Sequence, residues 1–241
     1  MHYKTKGIVF NTFSYNDKNI IVKIYTELFG LQSYMVPRSK SKHSKIKINL
    51  FQPLSLIEMV VLQKEQKQFH KIEEIKIDAP LIDITGNIIK NSIALFINEI
   101  VYKSIREEES NQRLYNFLRS SILSLDSKKD HYINFHLIFL IQLSAFLGFY
   151  PHHDDIYVDG YFNMLEGLIQ ENKPSHPYYF SKEATKHFYK LISSTHESLL
   201  NTDISNNLRR ELLRGLIKYY ELHSNTVREI KSHLVLEEVI S

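Results

Sequence analysis

The sequence contains no cysteine and no tryptophan. Without cysteine, the chain can form neither disulfide bonds nor thiolate metal sites, and nothing points to an oxidising compartment. It also has no Walker loop, no dinucleotide-binding glycine pattern and no nucleophile elbow. These absences favour a binding protein over an enzyme, and we expect neither a cofactor nor a bound metal.

Long apolar segments are also missing. The most apolar run, Leu137–Leu147, is about half the length of a bilayer span and is interrupted by Gln142 and Ser144. The N-terminal stretch MHYKTKGIVFNTFSYND turns polar too early for a signal peptide. We therefore expect a cytoplasmic protein with no membrane partner.

Charge is distributed unevenly along the 241 residues. The whole chain carries a formal net charge of only +3, but residues 1–78 hold thirteen Lys and Arg against seven Asp and Glu, whereas the remainder is net acidic. The N-terminal part is therefore the natural place for a polyanionic ligand.

Residues 3–77 have the composition and spacing of five short strands. β-branched and aromatic residues dominate these segments, which are Lys6–Phe13, Asn19–Thr26, Leu31–Val36, Leu54–Leu62 and Phe69–Ile77. Five short strands with a longer connection after the third match an OB-fold, a partly open barrel that commonly binds oligonucleotides. An SH3-like barrel is the nearest alternative, and strand spacing alone does not separate the two.

The periodicity becomes helical after Asp78-Ala79-Pro80. Six helices are predicted, over residues 89–105, Asn111–Leu125, Tyr132–Leu147, a segment capped by Ser181, Asn206–His223 and Thr226–Val239. The third is apolar nearly all round and should be buried at the centre of a helical domain. We predict an α+β multidomain protein, with an OB-fold at 1–79, an all-α domain at 80–241, and an irregular insert at 149–180.

The connection between the third and fourth strands is strongly basic. Its cations are Arg38, Lys40, Lys42, Lys45 and Lys47, and no acidic residue lies between Pro37 and Asn49. Cations beside an open barrel face can follow a phosphate backbone and release its counterions. Alternatively, the lysines only keep an edge strand from aggregating, as in many solvated loops.

Two further groups of residues suggest binding chemistry. Arg210 and Arg214, with Lys218, share one helix face that could seat an acidic peptide or a phosphate backbone, or could simply face solvent. The cluster His152-His153-Asp154-Asp155 with His176 has metal-ligand chemistry but lacks a recognisable ligand spacing. A small metal-dependent hydrolase using this cluster is therefore an alternative function.

Several stretches in the same order resemble the bacterial DNA repair and recombination mediator family RecO. The matching residues are Lys6–Val9, Ile20–Thr26, Gly30-Leu31, Arg38–Lys45, Phe51–Leu54, Ile72–Ile75, Lys90–Phe96, Glu99, Gly148–Pro151, Arg209-Arg210, Tyr219-Tyr220, His223, Lys231-Ser232 and Val235-Leu236. The resemblance covers nearly the whole chain.

This resemblance implies a nucleoid-associated protein that binds single- and double-stranded DNA and anneals complementary strands. It also implies partnership with RecR and contact with the acidic tail of single-strand DNA-binding protein, so that RecA can be loaded onto coated DNA. The DNA-binding candidates are then Lys23, Arg38, Lys40, Lys42 and Lys45, while Arg210 and Arg214 become candidates for phosphate or the acidic tail. A barrel-plus-helix adaptor that binds only protein is a further alternative.

One departure from the family concerns zinc. Many members carry a four-cysteine zinc site in the insert, and this chain has no cysteine. The resemblance therefore implies a zinc-less variant. Its insert should be held by packing, through Tyr157, Phe162, Leu165, Tyr178 and Phe180.

Overall fold

The computed structural model describes residues 1–38, 46–63, 67–106, 108–152, 159–193 and 204–240. Three predicted DNA-binding residues, Lys40, Lys42 and Lys45, lie outside these ranges, as does Tyr157 of the insert. His153, Asp154 and Asp155 of the candidate metal cluster also lie outside them.

Five strands form one antiparallel sheet near the N-terminus. They are β1 (His2–Ser14), β2 (Asn19–Thr26), β3 (Gly30–Pro37), β4 (Leu56–Leu62) and β5 (Lys71–Ala79). Their order is β3-β2-β1-β4-β5, so the long first strand pairs with β2 through its C-terminal half and with β4 through its N-terminal half.

The two ends of this sheet approach each other and close it into a barrel. The amide of Met35 on β3 donates to the carbonyl of His70, just before β5, at 3.0 Å, and the amide of His70 donates to the carbonyl of Ser33 at 2.9 Å. Tyr34 and His70 form a parallel bridge there. This strand order and closure are those of an OB-fold, which confirms the predicted barrel.

Alternating residues of the strands fill the barrel. Val22 and Ile24 of β2 pack with Tyr34 of β3 and Ile57 of β4, and all four are fully buried. Because strand residues alternate between faces, Lys23 points to the outer side of the barrel.

The described residues form seven α-helices. These are α1 (Ile82–Gly86), α2 (Ile88–Ser104), α3 (Gln112–Ser127), α4 (Phe135–Phe146), α5 (Lys182–Ser193), α6 (Asn206–His223) and α7 (Ser232–Val239). None of them is long and apolar enough to cross a membrane. As predicted, α4 is a buried central helix, and the Tyr220 hydroxyl of α6 donates to its Leu140 carbonyl at 2.6 Å.

The last helix begins six residues later than the sequence pattern predicted. Glu229 has a φ of 53°, which a continuous right-handed helix does not allow. Glu99 of α2 then accepts hydrogen bonds from the amides of Lys231 and Ser232 at 3.0 and 2.8 Å. A carboxylate at this position satisfies the first free amides of α7 and fixes its start.

The insert is more ordered than the sequence indicated, and it departs from the all-α prediction. It contains a hairpin of β6 (Tyr161–Asn163) and β7 (Leu168–Gln170), turned through Gly167 at φ +68°. Strands of three residues are too short to show a periodicity of two. Phe162 and Phe180 are buried as predicted, but Leu165 is 41% exposed and does not hold the insert.

The chain folds into two compact units. One comprises Met1–Gly86 with Ile105–Asp126, and the other comprises Asn87–Ser104 with Ser127–Ser241. Residues 105–126, which the sequence division assigned to the helical domain, therefore pack in the unit that contains the barrel. The boundary between functional domains at 79/80 stays a prediction.

Candidate nucleic-acid interface

The outer surface of β2 and β3 forms the first part of the candidate interface. Lys23 of β2 lies opposite Asn11 of β1 and Ser33 of β3 and is half-buried on the outer side of the barrel. Two residues away on the same side of the sheet, Phe13 of β1 pairs with Ile21 and is 39% exposed. In OB-folds, the face of strands 2 and 3 holds oligonucleotides, and the loops between strands 1 and 2 and between strands 4 and 5 flank it.

The turn between β1 and β2 is built by an asparagine side chain. The Asn16 Oδ1 accepts hydrogen bonds from the amides of Lys18 and Asn19 at 3.0 and 2.8 Å. An Asx turn of this kind fixes the backbone without needing buried side chains. Its neighbour Tyr15 can therefore remain 53% exposed.

Arg38 is attached to the same turn. Its amide donates to the carbonyl of Lys18 at 2.7 Å, and its guanidinium donates to the Ser14 hydroxyl. The structure thus brings Arg38, at the start of the basic connection, beside the β1–β2 turn and next to Lys18. Both residues are exposed.

An aromatic pair joins the two loops that flank this face. The rings of Tyr15, in the β1–β2 turn, and Phe69, in the β4–β5 loop, lie 5.8 Å apart between centroids. Barrel closure near His70 produces this contact, and sequence reasoning missed it. The feature of the sequence that could have indicated this pair is a single aromatic residue among polar neighbours in each loop, in Ser14-Tyr15-Asn16 and in Gln68-Phe69-His70.

The charges on β1, β4 and β5 are arranged differently. Lys4 and Lys76 both pair with Glu58 at 3.0 Å, and Lys6 pairs with Asp78 at 2.8 Å. Hydrogen bonds from Lys76 and Lys4 lower the pKa of Glu58 below its usual value. Each of these lysines is therefore already engaged in an ion pair, with Glu58 shared by Lys4 and Lys76.

The cations of the β1–β2 turn, β2 and the end of β3 differ in this respect. Within the described ranges, Lys18, Lys23 and Arg38 have no carboxylate within salt-bridge distance. A phosphate can therefore bind them without first breaking an ion pair.

The predicted cationic row on α6 is largely occupied by protein contacts. The Arg214 guanidinium makes two hydrogen bonds to the Glu237 carboxylate, at 2.9 and 2.6 Å, which raise the pKa of Arg214. Lys218 pairs with Glu221 at 3.2 Å, and Arg210 is half-buried. The role of Arg210 and Arg214 in binding an acidic tail or phosphate stays a prediction.

The described part of the candidate metal cluster makes structural contacts. The amide of His152 donates to the Gly167 carbonyl at 2.7 Å, and the His176 Nδ1 accepts from the amide of Tyr178 at 3.2 Å. Among the residues that the structure describes, no three His, Cys, Asp or Glu side chains are grouped so as to hold a metal ion.

The N-terminal and C-terminal parts of the chain each match a model of the same protein family. The family model "Recombination protein O N terminal" matches residues 1–80, and "Recombination protein O C terminal" matches residues 86–231. Similar curated proteins, each named DNA repair protein RecO, include those of Bacteroides fragilis (37% identical, 99% of both chains), Flavobacterium psychrophilum (36%, 100% of both) and Azobacteroides pseudotrichonymphae (34%, 99% of both).

Proposed function

The chain belongs to the RecO family of DNA repair and recombination proteins, and we propose that it acts as a non-catalytic mediator that binds single- and double-stranded DNA. One observation carries this proposal. The cations Lys18, Lys23 and Arg38, which have no carboxylate partner among the described residues, share the barrel with an aromatic pair between the two loops that flank the OB-fold binding face, and Tyr15 of this pair is exposed.

In this proposal, DNA lies across β2 and β3. Phosphates contact Lys23 and Arg38, together with Lys40, Lys42 and Lys45 of the basic connection, and a base stacks on Tyr15. Phosphate contacts and base stacking are both tolerant of sequence, so affinity comes with little sequence preference. Such binding suits a protein that acts wherever single strands arise.

The wider role requires partners as well as DNA. Annealing of complementary strands needs no chemistry, because neutralised phosphates repel each other less when two strands meet. We further propose association with RecR and with the acidic tail of single-strand DNA-binding protein, so that RecA is loaded onto coated DNA in the nucleoid region of the cytoplasm. Arg210 is the stronger candidate for the acidic tail, because Arg214 already pairs with Glu237.

The test is fluorescence anisotropy with a labelled, unstructured single strand, titrated at several salt concentrations. Each lost phosphate contact lowers the slope of log affinity against log salt by about 0.7 for single strands. Lys23→Ala with Arg38→Ala should therefore lower it by about 1.4, and alanine at Lys40, Lys42 and Lys45 should lower it by about 2.

The matched control is Lys4→Ala with Lys76→Ala, which removes the same charge from the opposite, ion-paired side of the barrel. Its slope should not change. If the control lowers the slope as much as Lys23→Ala with Arg38→Ala does, DNA is not bound at the β2–β3 face. If the wild-type protein shows no affinity even at low salt, the DNA-binding function itself is wrong.

A further inference from the structure

The unit that contains α4 carries a second arrangement of exposed aromatic and cationic side chains. Tyr161 lies on β6, and Tyr179 lies on the neighbouring segment that bridges Asn163 of the same strand. Their rings meet edge to face, with centroids 5.7 Å apart and planes at 82°. Both tyrosines are half-exposed.

A lysine lies over each of the two rings. The Lys173 Nζ is 5.4 Å from the centroid of Tyr179, and the Lys182 Nζ is 5.5 Å from that of Tyr161. Both lysines are exposed. We call these four residues, Tyr161, Tyr179, Lys173 and Lys182, the Tyr–Lys surface.

Backbone hydrogen bonds and buried aromatic rings hold the segments that carry the two tyrosines. The amide of Phe162 donates to the Thr185 hydroxyl at 2.9 Å, and the amide of Phe180 donates to the Phe162 carbonyl at 3.0 Å. The Phe162 and Phe180 rings are buried and pack against Phe188. Because neighbouring residues of an extended strand point to opposite sides, Tyr161 and Tyr179 are held outward with little freedom to lose on binding.

Within the described residues, acidic neighbours interact with the two lysines only at longer range. The pKa of Asp159 is lowered mainly by its pairing with Lys186 and also by the charge of Lys182. Asp159 pairs with Lys186 at 2.7 Å. Glu183 is exposed in the first turn of α5. Within the described residues, neither Lys173 nor Lys182 has a carboxylate within salt-bridge distance.

We propose that the Tyr–Lys surface is a second binding site for single-stranded nucleic acid, in which bases stack on Tyr161 and Tyr179 and phosphates contact Lys173 and Lys182. A cation–π contact in water is weak, so a phosphate can draw each ammonium away and leave the ring face for a base. An acidic peptide would bind the lysines but would leave both rings unused. The site does not depend on the barrel face, which lies in the other unit.

The experiment uses the full-length protein and a single strand that carries 5-iodouracil. Ultraviolet irradiation followed by peptide mapping should place cross-links on Tyr161 or Tyr179 as well as within residues 1–86. In parallel, Tyr161→Leu with Tyr179→Leu is compared with Tyr161→Phe with Tyr179→Phe. These pairs are made in the protein that also carries alanine at Lys23, Arg38, Lys40, Lys42 and Lys45, so that the barrel face does not mask the second site. Loss of a stacked ring weakens binding at a site about fivefold or more, so the leucine pair should bind at least about 25-fold more weakly than this background, while the phenylalanine pair binds as the background does.

Tyr178→Leu is the matched control, because its ring contacts His176 and Lys218, which lie outside the Tyr–Lys surface. It should not change affinity. If the leucine pair fails to fold by circular dichroism, Lys173→Ala with Lys182→Ala replaces it, with an expected fall in salt slope of about 1.4 for two contacts.

Two outcomes would overturn the proposal. One is cross-linking confined to residues 1–86, with unchanged affinity in the leucine pair. The other is loss of affinity in the lysine variant but not in the leucine pair, which would mean that only an anion binds there. In either case Lys23→Ala with Arg38→Ala would still report on the barrel face, so failure here is distinct from failure of the proposed function.

Discussion

Gly215 of α6 provides a sharp test of how the insert is held without zinc. Alanine in a helix interior is normally about 1 kcal/mol more favourable than glycine. At Gly215, however, an added Cβ would overlap the Cε1 of Phe180 and lie 2.5 Å from its Cζ and 3.0 Å from the Cε of Met164. The Phe180 ring is packed against Phe162 and Phe188, so it has little room to move away.

These opposing effects give the expected magnitude. Overpacking a well-packed core costs about 1–3 kcal/mol, and the upper part of this range, about 2–3 kcal/mol, applies where the added carbon overlaps a ring that has no room to move. The helix preference recovers about 1 kcal/mol. Gly215→Ala should therefore lower the free energy of unfolding by about 1–2 kcal/mol. The assay is urea denaturation followed by far-ultraviolet circular dichroism, read as the shift in midpoint.

Two comparisons isolate the cause. Gly86→Ala is the matched control, because nothing lies within 4 Å of its added Cβ, and it should be neutral or stabilising. In a double-mutant cycle with Phe180→Leu, the penalty of Gly215→Ala should shrink by about 1 kcal/mol or more. A Gly215→Ala protein that is as stable as Gly86→Ala, or penalties that simply add, would refute the aromatic packing described here.

Two further predictions concern titratable side chains in the unit that contains α4. Burial, aided by the positive charge of Arg209, lowers the pKa of His136 to about 3. In the unfolded chain His136 has an ordinary pKa near 6.5 and takes up a proton as the pH falls, whereas in the folded chain it stays neutral. The free energy of unfolding should therefore fall by up to about 1.4 kcal/mol for each pH unit below 6.5. When measured by urea denaturation from pH 7 to 4.5, the free energy of unfolding of His136→Met should depend less on pH than that of the wild-type protein. Glu99→Gln should loosen α7 by weakening its bonds to Lys231 and Ser232, and amide hydrogen exchange should then accelerate at residues 232–236 but not in α4.

Local signals were sufficient to predict much of the fold. β2 runs over Asn19–Thr26 as predicted, because its alternating Ile20, Val22 and Ile24 all enter the barrel core. Helix α6 also has its predicted bounds, and its start is fixed by the Ser205 hydroxyl, which accepts from the Leu208 amide. In both cases the residues that define the element lie within it or beside it.

Features that depend on distant residues were not predictable in the same way. The first residues of β1, His2–Thr5, were missed, because Lys4 looks like a loop residue until Glu58 arrives from β4 to pair with it. The bidentate partner of Arg214 is 23 residues away in sequence. Tyr15 and Phe69 become a pair only when the barrel closes, so no local pattern identifies them as one site.

The same long-range pairing explains why counting basic residues does not locate the interface. Lys4, Lys6 and Lys76 contribute as much formal charge as Lys18, Lys23 and Arg38, yet the first three form ion pairs with carboxylates that the fold brings to them. Recruiting Lys4 and Lys76 to a phosphate would break both ion pairs of Glu58. Recruiting Lys6 would break one of the two ion pairs of Asp78, which also pairs with Arg119. Because the second three face no described carboxylate, we expect the favourable potential for DNA to be concentrated on the side of the barrel where exposed aromatic rings can also stack on bases.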